Sequence, residues 1–348
     1  MPFVAVSRGD VVESVHAVAA CAVDTHGRVA LAYGDVDAPV YLRSSAKPFI
    51  AAAIVESGAP THFGFDAREL AVIAASHNGE PFHVAAVRSI LDKIGLGPAD
   101  LLCGTHPPSY EPAAAALAAA GAAPSALHNN CSGKHAGILA MCVSLGFDTS
   151  TYLEATHPAQ RRILGLCARL VDEPFDALPL GIDGCGIPVF ATSLRHAALG
   201  FARIASLRGI SDADAQALLT VREAMAAEPT YVGGTARFDS ALLAVTAGRI
   251  IGKAGAEGLH ADALVREGLG LVLKVVDGGK RAVPPATIAL LEELGALEPR
   301  EADALAEFAR PIVRNVAGRI VGALEVLTPT ARDAVPAGVP AGEAAYGP

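Results

Sequence analysis

The sequence lacks an excess of basic residues, and this absence narrows the range of possible partners. Among its 348 residues, 27 lysines and arginines stand against 36 aspartates and glutamates, which gives a net charge of −9 with histidine neutral. A protein that binds nucleic acid needs a basic surface to face the phosphates. We therefore expect no nucleic-acid partner.

Long apolar segments are also missing. The most apolar stretch, 113–123, is mostly alanine and is shorter than the roughly 18 residues that a membrane-spanning helix needs. Residues 1–5 do not combine a cationic region with an apolar core, as a secretory signal would. We therefore expect no membrane segment and a cytoplasmic location.

Cysteine is sparse, with six residues in the chain, which is too few for a disulfide scaffold of this length. Hydrophobic residues make up 52% and 35 residues are glycine, a composition typical of a globular protein with a sizeable core. We predict one catalytic domain over residues 1–327. Residues 328–348 are rich in proline, glycine and alanine, and we expect this tail to remain disordered.

Hydrophobic periodicity predicts a mixture of strands and helices. Apolar runs at 15–23 and 28–33 flank Asp24-Thr25-His26-Gly27 and predict a β-hairpin. A further strand is predicted to begin at Ile250 and to lead into a loop by Gly258. The segment 127–137 is the most polar in the chain and the least typical of a core. Helical spacing predicts helices that include 83–94, 191–207, 212–227, 285–294 and 299–308.

The first motif that suggests chemistry is Ser44-Ser45-Ala46-Lys47, which opens an apolar helix. Positions three apart lie on one helix face, so Ser44 and Lys47 can touch. A lysine can take a proton from serine only if its pKa falls from about 10.4, and both burial and the positive end of a helix lower it. We predict Ser44 as nucleophile and Lys47 as base. The alternative is a chance motif at an exposed helix start.

Two more motifs follow, Ser76-His77-Asn78 and Lys253-Ala254-Gly255. Penicillin-interacting serine enzymes carry Ser-x-x-Lys, Ser-Asp-Asn and Lys-Thr-Gly in the same order. Acyl transfer needs a nucleophile, a base and groups that stabilise the oxyanion. We predict Ser76 and Lys253 as a second pair that passes a proton to the leaving amine. Ser76 as the nucleophile remains an alternative.

Together these motifs resemble the rhizobial-type L-asparaginase II family, over nearly all of residues 5–327. The resemblance implies an α/β fold akin to serine β-lactamases, penicillin-binding proteins and glutaminases, with a mainly antiparallel sheet flanked by helices. It also implies a homodimeric amidohydrolase that converts L-asparagine to L-aspartate and ammonia. The similar segments are Arg-Ser-Ser-Ala-Lys-Pro at 43–48, Ser-His-Asn-Gly-Glu-Pro-Phe-His at 76–83, Asn-Asn-Cys-Ser-Gly-Lys-His-Ala-Gly at 129–137, Gly-Ile-Asp-Gly-Cys-Gly-Ile-Pro at 181–188 and Lys-Ala-Gly-Ala-Glu-Gly at 253–258.

The resemblance also implies a substrate site. It assigns Arg43 to the substrate α-carboxylate, which a guanidinium binds in bidentate fashion, and Asp183 to the α-ammonium. Asn130 and His135 are further expected substrate-binding residues.

A zinc site is the remaining implication, with Cys131, Lys134 and Cys185 as its ligands. Chemistry alone would favour His135 or His128 over a lysine. Two small buried thiols in tight turns are the alternative for the cysteines.

Three other functions remain open from the sequence. A glutaminase or a β-lactam-interacting hydrolase would use the same motifs on the same scaffold. A non-catalytic, zinc-stabilised amide-binding protein would retain them without turnover. For His77 and Glu80 we prefer a structural role over a direct functional one.

Overall fold

The computed structural model of the chain describes residues 2–327, and every strand pairing in it is antiparallel. The tail predicted at 328–348 lies outside the described residues. The strands are β1 (Phe3–Arg8), β2 (Val11–Asp24), β3 (Val29–Tyr33), β4 (Pro39–Tyr41), β5 (Leu180–Ile182), β6 (Pro188–Ser193), β7 (Ile250–Ala254), β8 (Leu259–Leu264), β9 (Leu269–Val275), β10 (Ile312–Arg314) and β11 (Ile320–Leu327).

The strands form one large and one small sheet. The large sheet has the order β10-β11-β1-β2-β9-β8-β7, and β3 pairs with β2 as well. The small sheet has the order β4-β6-β5. The predicted hairpin is confirmed, because β2 and β3 pair with Ala20 opposite Tyr33.

Helices make up most of the remaining structure. Between residues 2 and 327, none is long and apolar enough to cross a membrane. The helices are α1 (Lys47–Glu56), α2 (Ala59–Phe63), α3 (Ala67–Ile73), α4 (Pro81–Lys93), α5 (Glu111–Ala119), α6 (Ser132–Leu145), α7 (Pro158–Val171), α8 (Leu194–Ser206), α9 (Asp212–Ala227), α10 (Pro229–Val232), α11 (Phe238–Val245), α12 (Val283–Glu293), α13 (Pro299–Ala304) and α14 (Ala306–Ala309).

Both faces of the large sheet are covered, and the period of two in β2 makes this visible. Ala20 lies in a core shared with Ile288 of α12, whereas its neighbour Cys21 lies in the core shared with Phe201 of α8. Helix α8 packs along β2, β8 and β9 on its face, and α12 packs across β1, β9 and β11 on the other. The predicted fold class, a mainly antiparallel sheet flanked by helices, is therefore confirmed.

Helix α1 occupies the middle of the helical layer. It contacts α6, α7 and α9, and every residue from Lys47 to Ile54 is buried. A helix that is apolar on all sides is stable only when its whole circumference is covered. The position of α1 therefore places the lysine of the first motif inside the protein.

Some element predictions were wrong. The helix predicted over 191–207 is in fact the end of β6 followed by α8, because the buried run Pro188–Ser193 pairs with both β4 and β5. Ser193 then caps α8, its hydroxyl accepting the N–H of His196 at 3.1 Å. The helix predicted over 299–308 is divided between α13 and α14. Strand β8 was not predicted at all.

Gly270 in β9 tests how closely α8 packs on the sheet. A Cβ atom at this position would lie 2.0 Å from the carbonyl oxygen of Ala198 and 2.3 Å from the nitrogen of Ala202. We expect Gly270→Ala to lower the free energy of unfolding by about 1–3 kcal/mol, because the backbone of α8 must move away. Urea denaturation measures the change.

Gly165→Ala is the matched control. Gly165 lies within α7, and a Cβ atom there would meet nothing within 4 Å. This substitution should raise the stability by about 0.5–1 kcal/mol, since alanine is the better helix former. Equal effects of the two substitutions would contradict the close approach of α8 to β9.

Candidate active site

The Ser-x-x-Lys motif lies on a 3-10 turn, Arg43–Ala46, that leads directly into α1. Arg43 has φ +49°, a left-handed conformation that costs of order 1–3 kcal/mol for a residue with a side chain. Pro48 falls in the first helical turn, where proline is tolerated. Such strain is typical of functional sites.

A cavity of about 660 Å³ adjoins this turn. Ser44 and Ser76 both line it, whereas the lysines 47, 134 and 253 lie behind its wall. The predicted site residues that line the cavity are Arg43, Ser44, Ser76, Asn130, Cys131, Asp183 and Cys185.

Lys47 is fully buried, and its amine is bonded to the second serine motif. Its Nζ donates to Ser76 Oγ at 2.9 Å, to the carbonyl oxygen of Ala75 at 2.5 Å and to that of Asn130 at 3.3 Å. Burial lowers the pKa of Lys47 from its usual value. The backbone N–H of Lys47 donates to the carbonyl oxygen of Ser44, but across residues 2–327 its amine makes no hydrogen bond to the Ser44 hydroxyl. The amine of this lysine is therefore bonded to Ser76.

Lys253 has a different partner, one that the sequence analysis missed. Its Nζ donates to Asp239 Oδ2 at 3.1 Å and to the carbonyl oxygen of Ala254 at 2.9 Å. Burial lowers the pKa of Lys253 to about 8, against the opposing effect of Asp239 and with the help of nearby Lys47. In the described part of the chain its amine makes no hydrogen bond to Ser76.

Arg43 and Asp183, both predicted to bind substrate, are bonded to each other. Arg43 Nε and Nη2 lie 2.9 and 2.8 Å from Asp183 Oδ1, which also accepts the N–H of Gly184 at 2.8 Å. The other oxygen, Oδ2, lies 3.8 Å from the sulfur of Cys185. The cavity wall thus presents a cation and an anion side by side.

The two predicted metal-binding cysteines lie next to this pair. The ligand atoms of Cys131, Cys185 and Asp183 all lie within 4.8 Å of one another, so this group could bind a metal ion. Lys134 Nζ donates to the sulfur of Cys185 at 2.9 Å. A hydrogen bond from Cys185, together with the charges of Lys134 and Lys47, lowers the pKa of Cys131 well below its usual value.

The two remaining predicted residues occupy different environments. Asn130 lines the cavity, and its N–H donates to His106 Nε2 at 3.0 Å. His135 is fully buried in α6, with Nδ1 2.8 Å from the hydroxyl of Tyr152, and does not line the cavity. The polar segment that was judged least typical of a core is in fact largely buried, because α6 packs between α1, α3 and α4.

His77 and Glu80 form hydrogen bonds to residues of neighbouring segments. His77 Nδ1 accepts the N–H of Gly79 at 3.1 Å, its Nε2 lies 2.9 Å from Ser132 Oγ, and burial keeps its pKa well below the usual value. The carboxylate of Glu80 accepts the N–H and the hydroxyl of Thr235 at 2.8 and 2.7 Å. Glu80 thereby anchors the segment that leads to Asp239.

Comparison with known families decides the class of this site. The sequence model of the L-asparaginase II family matches residues 4–326. The chain belongs to the L-asparaginase II family. The family is one of asparaginases, which are amidohydrolases. None of the curated protein sequences matches the chain significantly.

Solved structures give only a distant likeness. Mglu in its native form in 4.3 M NaCl and Mglu in its Tris and glutamate form are each 14% identical to the chain, with a TM-score of 0.38. The alignments cover 81% and 80% of this chain but 62% and 59% of Mglu, so the chain spans about three fifths of the length of Mglu. A likeness at this level does not establish a structural relationship, and the relationship to serine β-lactamases stays a prediction.

Glu80 provides a test of how the cavity wall is anchored. Glu80→Gln places an amide that donates hydrogens opposite two donors of Thr235, so we expect the free energy of unfolding to fall by about 1–3 kcal/mol. Chemical denaturation measures this loss. Glu154→Gln, at an exposed position, should change stability by less than about 0.5 kcal/mol. Similar stability of the two variants would contradict the anchoring role.

Proposed function

We propose that the protein hydrolyses L-asparagine to L-aspartate and ammonia through an acyl-enzyme on a serine. The observation that carries this proposal is the hydrogen bond from buried Lys47 to Ser76 Oγ in a cavity that Ser44 also lines. A lysine acts as a general base only when its environment favours the neutral amine, and burial does so for Lys47. The L-asparaginase II family supplies the class of reaction.

The ion pair beside the thiols fits the polar end of an α-amino acid. The α-carboxylate of asparagine would bind the guanidinium of Arg43, and its α-ammonium would bind Asp183 Oδ2, since Oδ1 already accepts from Arg43 and Gly184. A substrate without either group would leave one side of this pair unmatched. The pair therefore supports a free amino acid as substrate, with Asn130 in the adjoining wall.

The proposed reaction passes a proton between Ser44, Lys47 and Ser76. Ser44 Oγ attacks the side-chain amide carbon while Lys47 accepts the hydroxyl proton. The C–N bond then breaks, and the leaving nitrogen receives a proton from Ser76, which regains one from Lys47. Water attacks the resulting ester, so that aspartate leaves and Ser44 recovers its proton. In this scheme Lys253 contributes a positive charge beside the cavity.

Ser76 as the nucleophile is the alternative that the structure keeps open. Its hydroxyl is the one bonded to the Lys47 amine, whereas Ser44 is bonded to Lys47 only through its backbone carbonyl. A reactive substrate analogue that forms a stable ester, followed by peptide mass mapping, separates the two. A label on Ser76 would reverse the roles of the serines.

The predicted zinc site fits its residues in chemical type. Two thiols and a carboxylate are donors that zinc accepts, and the pKa of Cys131 is already lowered. Burial alone would lower the pKa of Lys134, but the sulfur groups of Cys131 and Cys185 raise it, so a metal would have to displace its proton. The hydrogen bond to Cys131 and burial raise the pKa of Cys185, so a metal would have to displace that proton too. Zinc bound to Cys131 and Cys185, with Lys134 or Asp183, would supply a Lewis-acidic anchor for polar substrate groups.

Ammonia release from L-asparagine, and from L-glutamine in parallel, tests the reaction. We expect release from L-asparagine, and a loss of about 10³-fold or more in kcat for Ser44→Ala, because nucleophile and base act as a unit. Ser109→Ala is the control, since Ser109 lines the same cavity but bonds to Asn78. It should lose less than about tenfold.

The outcomes of this assay separate the rival functions. Near-normal turnover by Ser44→Ala would contradict its role as nucleophile. Release from glutamine alone would indicate a glutaminase. If neither amide releases ammonia, the β-lactam-interacting hydrolase or the amide-binding protein is favoured. Hydrolysis of a chromogenic β-lactam tests the first of these.

Protection from alkylation tests the metal site. After treatment with a chelator, we expect iodoacetamide to modify Cys131, whose lowered pKa favours the reactive thiolate, and added zinc to slow this at least about tenfold. Peptide mass mapping follows the reaction. Cys142 and Cys167, whose pKa values burial raises to about 12, should stay unmodified with or without zinc. Equal rates at Cys131 in both conditions would argue against zinc binding.

Three further expectations from the sequence stay predictions. These are the homodimer, the cytoplasmic location and the single catalytic domain over residues 1–327. Size-exclusion chromatography with light scattering measures the first.

A further inference from the structure

A buried polar cluster lies at the edge of the large sheet, and the reaction proposed above uses only its lysine. It contains two carboxyl groups and two cationic groups, all at most 2% exposed. Ionisable side chains are rarely this buried unless they are paired. The members of this edge cluster are Asp239 of α11, Lys253 of β7, and His260 and Asp262 of β8.

Asp239 closes the free edge of the sheet. Strand β7 is the last strand of the sheet, so the N–H of Ala254 points away from β8 and needs another acceptor. Asp239 Oδ2 accepts this N–H at 3.1 Å and the amine of Lys253 at the same distance. One carboxylate oxygen thus fixes both the strand edge and the lysine.

The other oxygen of Asp239 reaches around the edge to the opposite face of the sheet. His260 Nε2 lies 3.4 Å from Asp239 Oδ1, and His260 Nδ1 lies 3.1 Å from Asp262 Oδ2. His260 and Asp262 are opposite Ala254 and Gly252 in the β7–β8 pairing. A Cβ atom on Gly252 would lie 2.8 Å from Asp262 Oδ1, so only glycine leaves room for this carboxyl group.

The charges in the cluster alternate along this path. Burial alone would lower the pKa of His260, but the carboxylates of Asp262 and Asp239 raise it to about 9. Burial would raise the pKa of Asp239, yet Lys253 and His260 bring it below its usual value. Asp239 therefore stays ionised between two cations at neutral pH. The carboxylate of Asp239 contacts both His260 and Lys253 and so couples the charges of the two side chains.

Asp239 and His260 also line the catalytic cavity, together with Ala254 and Gly255. We propose that Asp239, backed by His260 and Asp262, is a positioning residue that keeps Lys253 as an ammonium beside the cavity. This inference rests on the proposed function, in which the negative charge that develops on the substrate needs a fixed cation nearby. In this role Asp239 acts through Lys253.

The sign of the effect on Lys253 makes the inference testable. The charged groups around its amine are Asp239 of α11, Arg237 just before α11, Lys47 of α1 and His260 of β8. Removal of the Asp239 charge leaves only cations near Lys253, so its pKa falls below about 8 and it loses its proton near neutral pH. Removal of the His260 charge has the opposite effect, because a cation is lost and Asp239 remains.

The experiment compares Asp239→Asn and His260→Gln in protein with 15N-labelled lysine. The Lys253 Nζ signal, assigned by its loss in Lys253→Met, is titrated by NMR. We expect its midpoint to fall by at least about one pH unit in Asp239→Asn and to rise in His260→Gln. The alkaline limb of kcat/KM for L-asparagine should move in the same two directions. For Asp239→Asn at pH 7, kcat should drop about tenfold or more with little change in KM.

Asp214→Asn is the matched control. Asp214 is also 2% exposed, but it pairs with Arg169 away from the cavity. The Asp214→Asn substitution should lower the melting temperature without moving the midpoint of the Lys253 Nζ titration or the pH profile of kcat/KM. Shifts of the midpoint in the same direction in Asp239→Asn and His260→Gln, or none in either, would overturn the inference. If the wild type releases no ammonia, the proposed function fails, while the NMR titration still decides the role of Asp239.

Discussion

Burial of amines in a water-poor interior is the constraint on which this active site depends. Lys47 and Lys253 are both fully buried, and burial is the largest cause of the lowered pKa of each. A lysine on the surface would stay protonated and could not accept a proton from serine at neutral pH. The helical layer that surrounds α1 is therefore a requirement of the proposed chemistry as well as of the fold, whereas at the edge of β7 Asp239 opposes the effect of burial on Lys253.

The three lysines near the cavity differ in pKa because the amine of each has a different partner. Lys47 is bonded to a hydroxyl and two carbonyl groups, Lys134 to the thiol of Cys185, and Lys253 to the carboxylate of Asp239. Neutral partners leave the pKa of Lys47 low, whereas the sulfur groups of Cys131 and Cys185 raise that of Lys134. Environments that separate the pKa values of similar groups are the usual basis of acid and base roles. Here they favour Lys47 as the base and Lys253 as a fixed cation.

The pair of Arg43 and Asp183, which is proposed to bind the substrate, also depends on tertiary placement. Arg43 is positioned by a left-handed backbone, and Asp183 follows β5, an edge strand of the small sheet. Their ion pair joins residues 140 positions apart in the chain. Because Asp183 also lies beside Cys131 and Cys185, in the proposed binding mode any metal bound by the thiols would lie next to the amino acid end of the substrate. Substrate affinity and metal binding are thus expected to be coupled.

The sequence by itself determined the family, the presence of a hairpin and of most helices, and the serine, lysine, cysteine and arginine residues around the cavity. These follow from local information: motifs of a few residues, periods of 2 and 3.6, and apolar runs such as that of α1. It did not determine which serine faces which lysine. The hydrogen bond of the Lys47 amine to the Ser76 hydroxyl, and not to that of Ser44, depends on how α3 and α1 meet in the helical layer.

Only the tertiary structure decided the edge cluster and the environment of His135. Strand β8 alternates apolar Leu259, Ala261 and Ala263 with polar His260 and Asp262, a pattern that would place the polar residues in water. In the fold both faces are covered, and the polar face instead meets Asp239 from a helix about 20 residues earlier in the chain. A buried polar partner of this kind is specified by packing between distant elements, and no local pattern in the sequence encodes it.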